Sequence, residues 1–187
     1  MISGHDALCC LMASAVESAT DAAATPEEPG GFDHVYPSSA MTWPYCDHHA
    51  VVGRVASIST QPPPQGQVTD VPREDPHTTG TIRFHRFDLH VVRCGPPSPD
   101  SDSTRCLGDL YGDCDSPPNH HTLAGHHLAV DLETERLMSE ILERWCDCLV
   151  ARNEGYSRTR PRWIEEATIQ NEGRFTAIAL RVGTLLG

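Results

Sequence analysis

The chain of 187 residues carries 14 basic and 26 acidic side chains, which give it a formal net charge of −12. Its length fits one domain, since single domains commonly hold roughly 100–200 residues. The acidic excess argues against a general nucleic-acid binder and against adhesion to an anionic membrane. In the sequence, no run approaches the ~18 consecutive apolar residues that a membrane-spanning helix requires.

An amphipathic helix is predicted near the start of the sequence. Apolar residues recur at helical spacing from Leu8 to Ala19, and Ser3 or Asp6 is a suitable N-cap. The same stretch could be mistaken for a secretion signal, but the residues before it include no Arg or Lys. We therefore favour the helix over a signal peptide. We also expect a reducing compartment, in which the eight cysteines remain thiols.

Three extended segments are predicted in the first half of the chain. A short one at 33–36 precedes a strand rich in β-branched residues at 51–60. The longest strand covers 80–94. Its apolar residues change from one face to the other, which predicts a bulge or twist near His85 and Arg86.

A long helix is predicted over 128–149. Its apolar row has i, i+4 spacing and consists of Leu137, Ile141, Trp145 and Leu149. Its opposite, charged side consists of Glu133, Glu135, Glu140, Glu143 and Arg144. Two strands close the chain, one around 163–167 and one over 174–186. The predicted fold class is therefore α+β, with a mostly antiparallel twisted sheet packed by one long and one short helix.

Two segments, 61–79 and 96–125, lack hydrophobic periodicity and are rich in Pro, Ser and Asp. We interpret them as mobile loop insertions within a single domain that covers residues 1–187.

The eleven histidines and eight cysteines raise the question of a metal site. The candidate groups are Cys46-Asp47-His48-His49, Cys106 with Cys114, His120-His121 with His126-His127, and Cys146-Asp147-Cys148. None has the two close-spaced ligand pairs typical of structural zinc. We interpret these residues as helix thiols and solvated loop histidines. We predict no metal site and no cofactor, and a zinc site in the loops is the alternative.

The sequence contains no familiar catalytic motif: G-x-S-x-G, the P-loop and G-x-G-x-x-G are all absent. Cys94 or Cys46 could form a thiol–imidazole pair with a histidine, but nothing in the sequence selects one. We therefore predict no catalytic residues and a protein that is not an enzyme.

Four stretches follow a pattern known from one protein family. They run from His34 to Cys46, from Val51 to Val55, from Leu89 to Pro96, and from Arg160-Pro-Arg-Trp163 into Gly173-Arg-Phe-Thr-Ala177. In these stretches and in the order of its elements, the chain resembles neck proteins of long-tailed phages that infect actinobacteria. It is most similar to the tail terminator, with head-closure (stopper) and other head–tail connector proteins as alternatives.

The resemblance implies a structural virion protein, made in the host cytoplasm and located at the head–tail interface. A tail terminator forms a homo-oligomeric ring, usually a hexamer, that caps the tail tube and joins it to the head. Its partners would be further copies of itself, the major tail tube protein, and the head-closure or adaptor proteins. DNA would only pass through the lumen, and no membrane would be involved.

Within such a ring, we expect the 80–94 strand to offer an edge for contacts between subunits. The alternative from another class is a small intracellular protein that binds zinc through histidines and cysteines of the loops.

Overall fold

A computed structural model describes residues 2–23, 32, 34–41, 49–60, 83–94, 123–172 and 175–187. Its two helices are α1 (Gly4–Ala23) and α2 (Leu123–Arg152). Its five strands are β1 (His34–Pro37), β2 (Ala50–Ser59), β3 (Arg83–Cys94), β4 (Arg162–Glu172) and β5 (Phe175–Leu186). The predicted fold class is confirmed, because the strands form one mostly antiparallel sheet packed by helices.

The strand order in the sheet is β1-β2-β3-β5-β4, and only the β1–β2 pair is parallel. β3 pairs with β2 on one side and with β5 on the other, so it is the central strand. The prediction that the 80–94 strand offers an edge is therefore wrong. Its apolar residues change face because both faces of a central strand are buried.

Both helices pack on the same side of the sheet, which we call the helix face. Gly53 of β2 lies directly under α1, and a Cβ atom there would meet Leu8 and Met12 at 3.0–3.1 Å. Phe87 of β3 lies under α2 and meets Trp145 edge-on, with ring centroids 5.6 Å apart. No helix of the described residues packs on the opposite side, the second face.

The predicted N-terminal helix is confirmed and is capped by Ser3. The Ser3 hydroxyl accepts a hydrogen bond of 3.1 Å from the backbone N–H of Asp6. In return the Asp6 carboxylate accepts one of 3.3 Å from the backbone N–H of Ser3. This reciprocal capping box satisfies two donors at the helix start. The hydrogen bonds from Ser3 also lower the pKa of Asp6.

α2 begins at Leu123, five residues before the predicted start, so the last residues of the predicted 96–125 loop belong to the helix. Its predicted apolar row is buried, and Trp145 is the largest fully buried side chain of the described residues. The remainder of that loop and the predicted loop at 61–79 lie outside the described residues.

Glu133 was predicted on the charged outer side of the long helix, and this placement is wrong. Its side chain is 2% exposed and pairs with Arg93 of β3, whose Nη2 lies 2.5 Å from Glu133 Oε1. The Arg93 Nε also lies 3.1 Å from both carboxylate oxygens. A pattern along one helix does not reveal that a neighbouring strand supplies a buried countercharge.

The predicted irregularity near His85 and Arg86 is located in the neighbouring strand instead. The β2–β3 register shifts between Val55 and Ser57 of β2, whereas the pairing of β3 with β5 is continuous. Phe84 packs on the second face and Phe87 on the helix face. The change of face along β3 therefore reflects burial on both sides and needs no bulge in β3.

The expectation that all cysteines remain thiols is also wrong. Cys10 of α1 and Cys148 of α2 form a disulfide, with their Cα atoms 5.6 Å apart. These residues are 138 positions apart in sequence, and the antiparallel packing of the two helices brings them together. In the described part of the chain, Cys9, Cys94 and Cys146 are free thiols.

Candidate functional site

The proposed metal ligands do not converge in the part of the chain that the structure describes. There, no group of three or more His, Cys, Asp or Glu residues could hold a metal ion. His126 was predicted as a solvated loop residue, but it is buried on α2, with its Nε2 3.2 Å from the hydroxyl of Thr176. Cys146 is a buried thiol, and Cys148 is in the disulfide. The other candidate ligands, except His49, His127 and Asp147, lie outside the described residues.

The structure describes only one of the two cysteines that the sequence offers for a thiol–imidazole pair. Cys46 lies outside the described residues, whereas Cys94 ends β3 beside His49. The contact between them is a hydrogen bond of 3.3 Å from the backbone N–H of Cys94 to His49 Nδ1. It positions the end of β3 against the start of β2 and does not itself involve the thiol.

The most ordered polar feature of the described residues is a row of charges across the second face. In the strand register, Arg54 of β2 pairs with Asp88 of β3, Asp88 pairs with Arg181 of β5, and Arg181 pairs with Glu166 of β4. The four side chains alternate in sign across four strands. We call them the charge row.

Asp88 is the centre of the charge row and accepts hydrogen bonds from both arginines. Arg54 donates through Nε and Nη2 to one carboxylate oxygen, at 2.9 and 2.7 Å, and Arg181 donates through Nε to the other at 2.8 Å. Burial raises the pKa of Asp88, but the hydrogen bonds from Arg181 and Arg54 outweigh it, so the pKa lies below its usual value. The carboxylate is therefore held in its charged form, and it links three strands.

A hollow of about 200 Å³ lies on the second face beside the charge row. Its floor includes Ala179, and His90 and Thr168 line it. Burial is the main cause that lowers the pKa of His90; the Asp88 charge acts against this effect and the Arg54 charge adds to it. Burial therefore disfavours the charged form of His90. The hollow contains both signs of charge and no arrangement of nucleophile and base.

A second charged group lies one row further along the same face. Glu165 of β4 accepts a hydrogen bond of 2.6 Å from Arg86 Nε and one of 3.1 Å from the indole Nε1 of Trp163. The β4–β5 register shifts between Ile164 and Glu166, at the position of Glu165. The irregularity turns Glu165 toward Arg86, as such bulges commonly re-aim one side chain.

The sheet has two different edges in the described structure. β1 has four residues and ends at Pro37, which cannot donate a backbone hydrogen bond. β4 has eleven residues and pairs only with β5. Its Ile169 is 40% exposed near this edge. A short edge closed by proline is protected, whereas a long one presents its free backbone groups to a neighbouring strand.

Sequence reasoning did not identify the charge row. Arg54, Asp88 and Arg181 are distant in the chain and become neighbours only through the strand order. One signal was available: Asp88 stands between the apolar residues Phe87 and Leu89 of the longest predicted strand. A charge in such a strand requires a countercharge on adjacent strands.

No protein-family model matches this chain, and no curated protein matches it.

Proposed function

We propose that this protein is a structural subunit of a phage neck: a tail terminator that forms a ring, caps the tail tube and joins it to the head. The observation that carries the proposal is the β4 edge, eleven residues long and paired on one side only among the described residues. The sequence resemblance to actinobacteriophage neck proteins supports it independently.

The β4 edge supports assembly by its chemistry as well as its length. Each unpaired backbone N–H and C=O group along it is a hydrogen-bonding group that another strand can satisfy. The side chains of Thr168 and Gln170 are exposed and uncharged, and Ile169 adds apolar surface. Residues 168–170 carry no charge, whereas the charged residues and the irregularity of β4, which commonly hinder pairing, lie at 162–166 and at Glu172.

The two edges of the sheet differ in length and in pairing. β1 is short and joins β2 in parallel, while β4 is long and joins β5 antiparallel. In a ring the β4 edge meets a different surface of the next subunit, and such head-to-tail contacts close when the rotation between subunits permits it, whereas β4 paired with β4 would give a symmetric dimer.

The net charge of −12 fits a ring through which DNA passes. Like charges repel phosphate, so an acidic lumen lets the duplex slide without adhering. In the same proposal, the protein belongs to the virion and contacts the tail tube protein on one side and head-closure or adaptor proteins on the other. Among the described residues, neither helix is long and apolar enough to cross a membrane.

The test is the assembly state of the purified chain. Sedimentation velocity and negative-stain electron microscopy are expected to show a closed ring, with six copies as the expected number. The ring is expected to co-sediment with purified tail tubes. A chain that stays monomeric at all concentrations and does not bind tail tubes would contradict the proposal. Elemental analysis that finds about one zinc per chain would favour the zinc-binding alternative.

A matched pair of variants tests the edge itself. Ile169→Lys places a charge at the β4 edge and is expected to abolish ring formation without unfolding the subunit, because Ile169 is already partly exposed. Ile169→Val keeps a β-branched apolar side chain and is expected to assemble normally. Equal assembly of the two variants would show that the edge does not pair.

A further inference from the structure

A cleft of about 390 Å³ lies beside the C-terminal half of α2, against the loop that leads into β4. Its lining residues are Leu142, Glu143, Cys146, Arg158 and Arg162. The cleft therefore combines two apolar side chains and one acid, Glu143, of the helix with two arginines of the loop, and Arg158 is paired with Asp147 of the helix. It is separate from the charge row, which lies on the second face.

The loop beside this cleft is the most basic part of a strongly acidic chain. Between residues 152 and 162 there are four of the 14 basic residues and one acidic residue, Glu154. Three of these arginines, Arg158, Arg160 and Arg162, follow one another at every second position. We call this segment the arginine loop.

Internal contacts hold the arginine loop in shape. Arg162 donates hydrogen bonds to the backbone carbonyls of Arg160 and Arg158, at 2.9 and 3.1 Å. The guanidinium of Arg160 lies 5.4 Å from the ring centroid of Tyr156. Tyr156 is itself buried, and its hydroxyl lies 3.2 Å from that of Thr184. The loop is thus ordered before any partner binds, which reduces the entropy cost of binding.

An exposed stripe elsewhere on α2 has the complementary chemistry. Asp131 and Glu135 are exposed acids one helical turn apart. Leu132 and Met138 lie beside them and are 46% and 41% exposed, although both are large and apolar. We call these four residues the acidic stripe.

The arginine loop and the acidic stripe cannot meet within one subunit. Arg158 of the arginine loop contacts Asp147 of α2, which lies twelve residues after Glu135. At a rise of 1.5 Å per residue this places Glu135 about 18 Å from that contact along the helix. A contact between the loop and the acidic residues of the stripe therefore has to join two copies.

We propose that the arginine loop and its cleft bind the acidic stripe on α2 of a second copy of this chain. The inference rests on the proposed ring and names a contact between its neighbouring subunits. Arg158 is already paired with Asp147 of its own subunit. The guanidinium of Arg160 therefore makes the contact with Glu135 of the second copy, since guanidinium and carboxylate match in geometry as well as charge. Leu132 and Met138 cover the apolar side of the cleft.

The charge of the chain explains why such a contact is needed. Subunits that each carry −12 repel one another, and a local basic surface that faces an acidic one reduces this repulsion at the interface.

The test uses reciprocal charge reversal. Arg160→Glu and Glu135→Arg each place like charges across the contact, and each is expected to raise the concentration needed for half-assembly by at least about tenfold. The double variant again places opposite charges at positions 135 and 160. It is expected to recover most of the assembly that each single variant loses. Arg83→Glu, at an exposed residue of β3 outside both surfaces, makes the same change of charge as Arg160→Glu and is expected to assemble like the native chain.

Sedimentation velocity measures assembly, and circular dichroism checks that each variant is folded. If a reversed variant is unfolded, Arg160→Gln and Glu135→Gln replace the reversals, with a smaller expected loss. Native-like assembly of both single variants would overturn the inference and leave the proposed ring intact. Failure of the double variant to recover would show that the two surfaces do not meet. A native chain that never assembles would overturn both proposals.

Discussion

The indole Nε1 of Trp145 donates a hydrogen bond of 2.9 Å to the backbone carbonyl of Ala7, which ties α2 to α1 inside the core. Trp145 is fully buried and also meets Phe87 of the sheet. One side chain therefore joins three elements: both helices and the central strand. Its loss should destabilise the subunit as a whole.

We predict that Trp145→Ala lowers the free energy of unfolding by about 3–5 kcal/mol, because it leaves a large cavity. Trp145→Phe keeps most of the apolar volume and removes the hydrogen bond and part of the ring, so a smaller loss is expected. Urea unfolding followed by circular dichroism measures both. If Trp145→Ala unfolds like the native chain but no longer assembles, Trp145 belongs to an interface and the described core is wrong.

The Cys10–Cys148 disulfide is expected to stabilise the pair of helices. It closes a loop of 138 residues, so it restricts the unfolded chain strongly. We predict that reduction lowers the free energy of unfolding by about 2–5 kcal/mol. Cys148→Ser should show the same loss and no further response to the reductant.

Cys9→Ser is the matched control for the disulfide, because Cys9 is a free thiol next to Cys10 on the same helix. It is expected to retain both the native stability and the response to reductant. If the stability of the native chain does not change with reductant, the disulfide does not contribute to it.

Asp88 is expected to make stability depend on pH in the acidic range. Its folded pKa lies below the usual 3.8, so its contribution is fully present above that value and is lost as the pH falls through the folded pKa. Asp88→Asn removes the negative charge to which both Arg54 and Arg181 donate hydrogen bonds. We predict a loss of about 1.5–3 kcal/mol at neutral pH. The fall in stability between about pH 6 and about pH 3 should also become shallower.

Asp147→Asn is the control for the pH experiment. It removes the carboxylate of an ion pair with Arg158 in which both side chains are more than half exposed. Such pairs contribute little to stability, so this variant should follow the native chain. The measurement is the unfolding of the native chain and of the two variants at about pH 6 and at about pH 3. An Asp88→Asn chain whose pH profile equals that of the native chain would show that the charge row does not stabilise the sheet.

The sequence predicts an element well when the spacing of its own apolar residues determines which side chains are buried. The row from Leu137 to Leu149 belongs to a single element with a clear period, and its burial is confirmed. Features that arise between elements could not be predicted. The Arg93–Glu133 pair and the Cys10–Cys148 bond depend on how distant segments pack, and no local period records that.

The edge strand of the sheet also could not be predicted from a local pattern. The 80–94 strand is the longest by sequence, which favours it as the edge, but strand order is a property of the whole sheet. β3 became central because β5 returns along it from the far end of the chain. The edge is β4, whose mixed polar and apolar residues give a weaker sequence signal than those of β3.

Gly183 of β5 lies beneath the indole ring of Trp163, and a Cβ atom there would overlap the ring. We predict that Gly183→Ala lowers the free energy of unfolding by about 1–3 kcal/mol, since the tryptophan has to move away. That movement would also break the hydrogen bond from Trp163 to Glu165, which in turn holds Arg86. Gly155→Ala is the control, because the nearest atom to its Cβ, Oδ1 of Asn153, is 3.4 Å away. Urea unfolding and tryptophan fluorescence measure both variants, and equal stability would show that the indole does not rest on the sheet at Gly183.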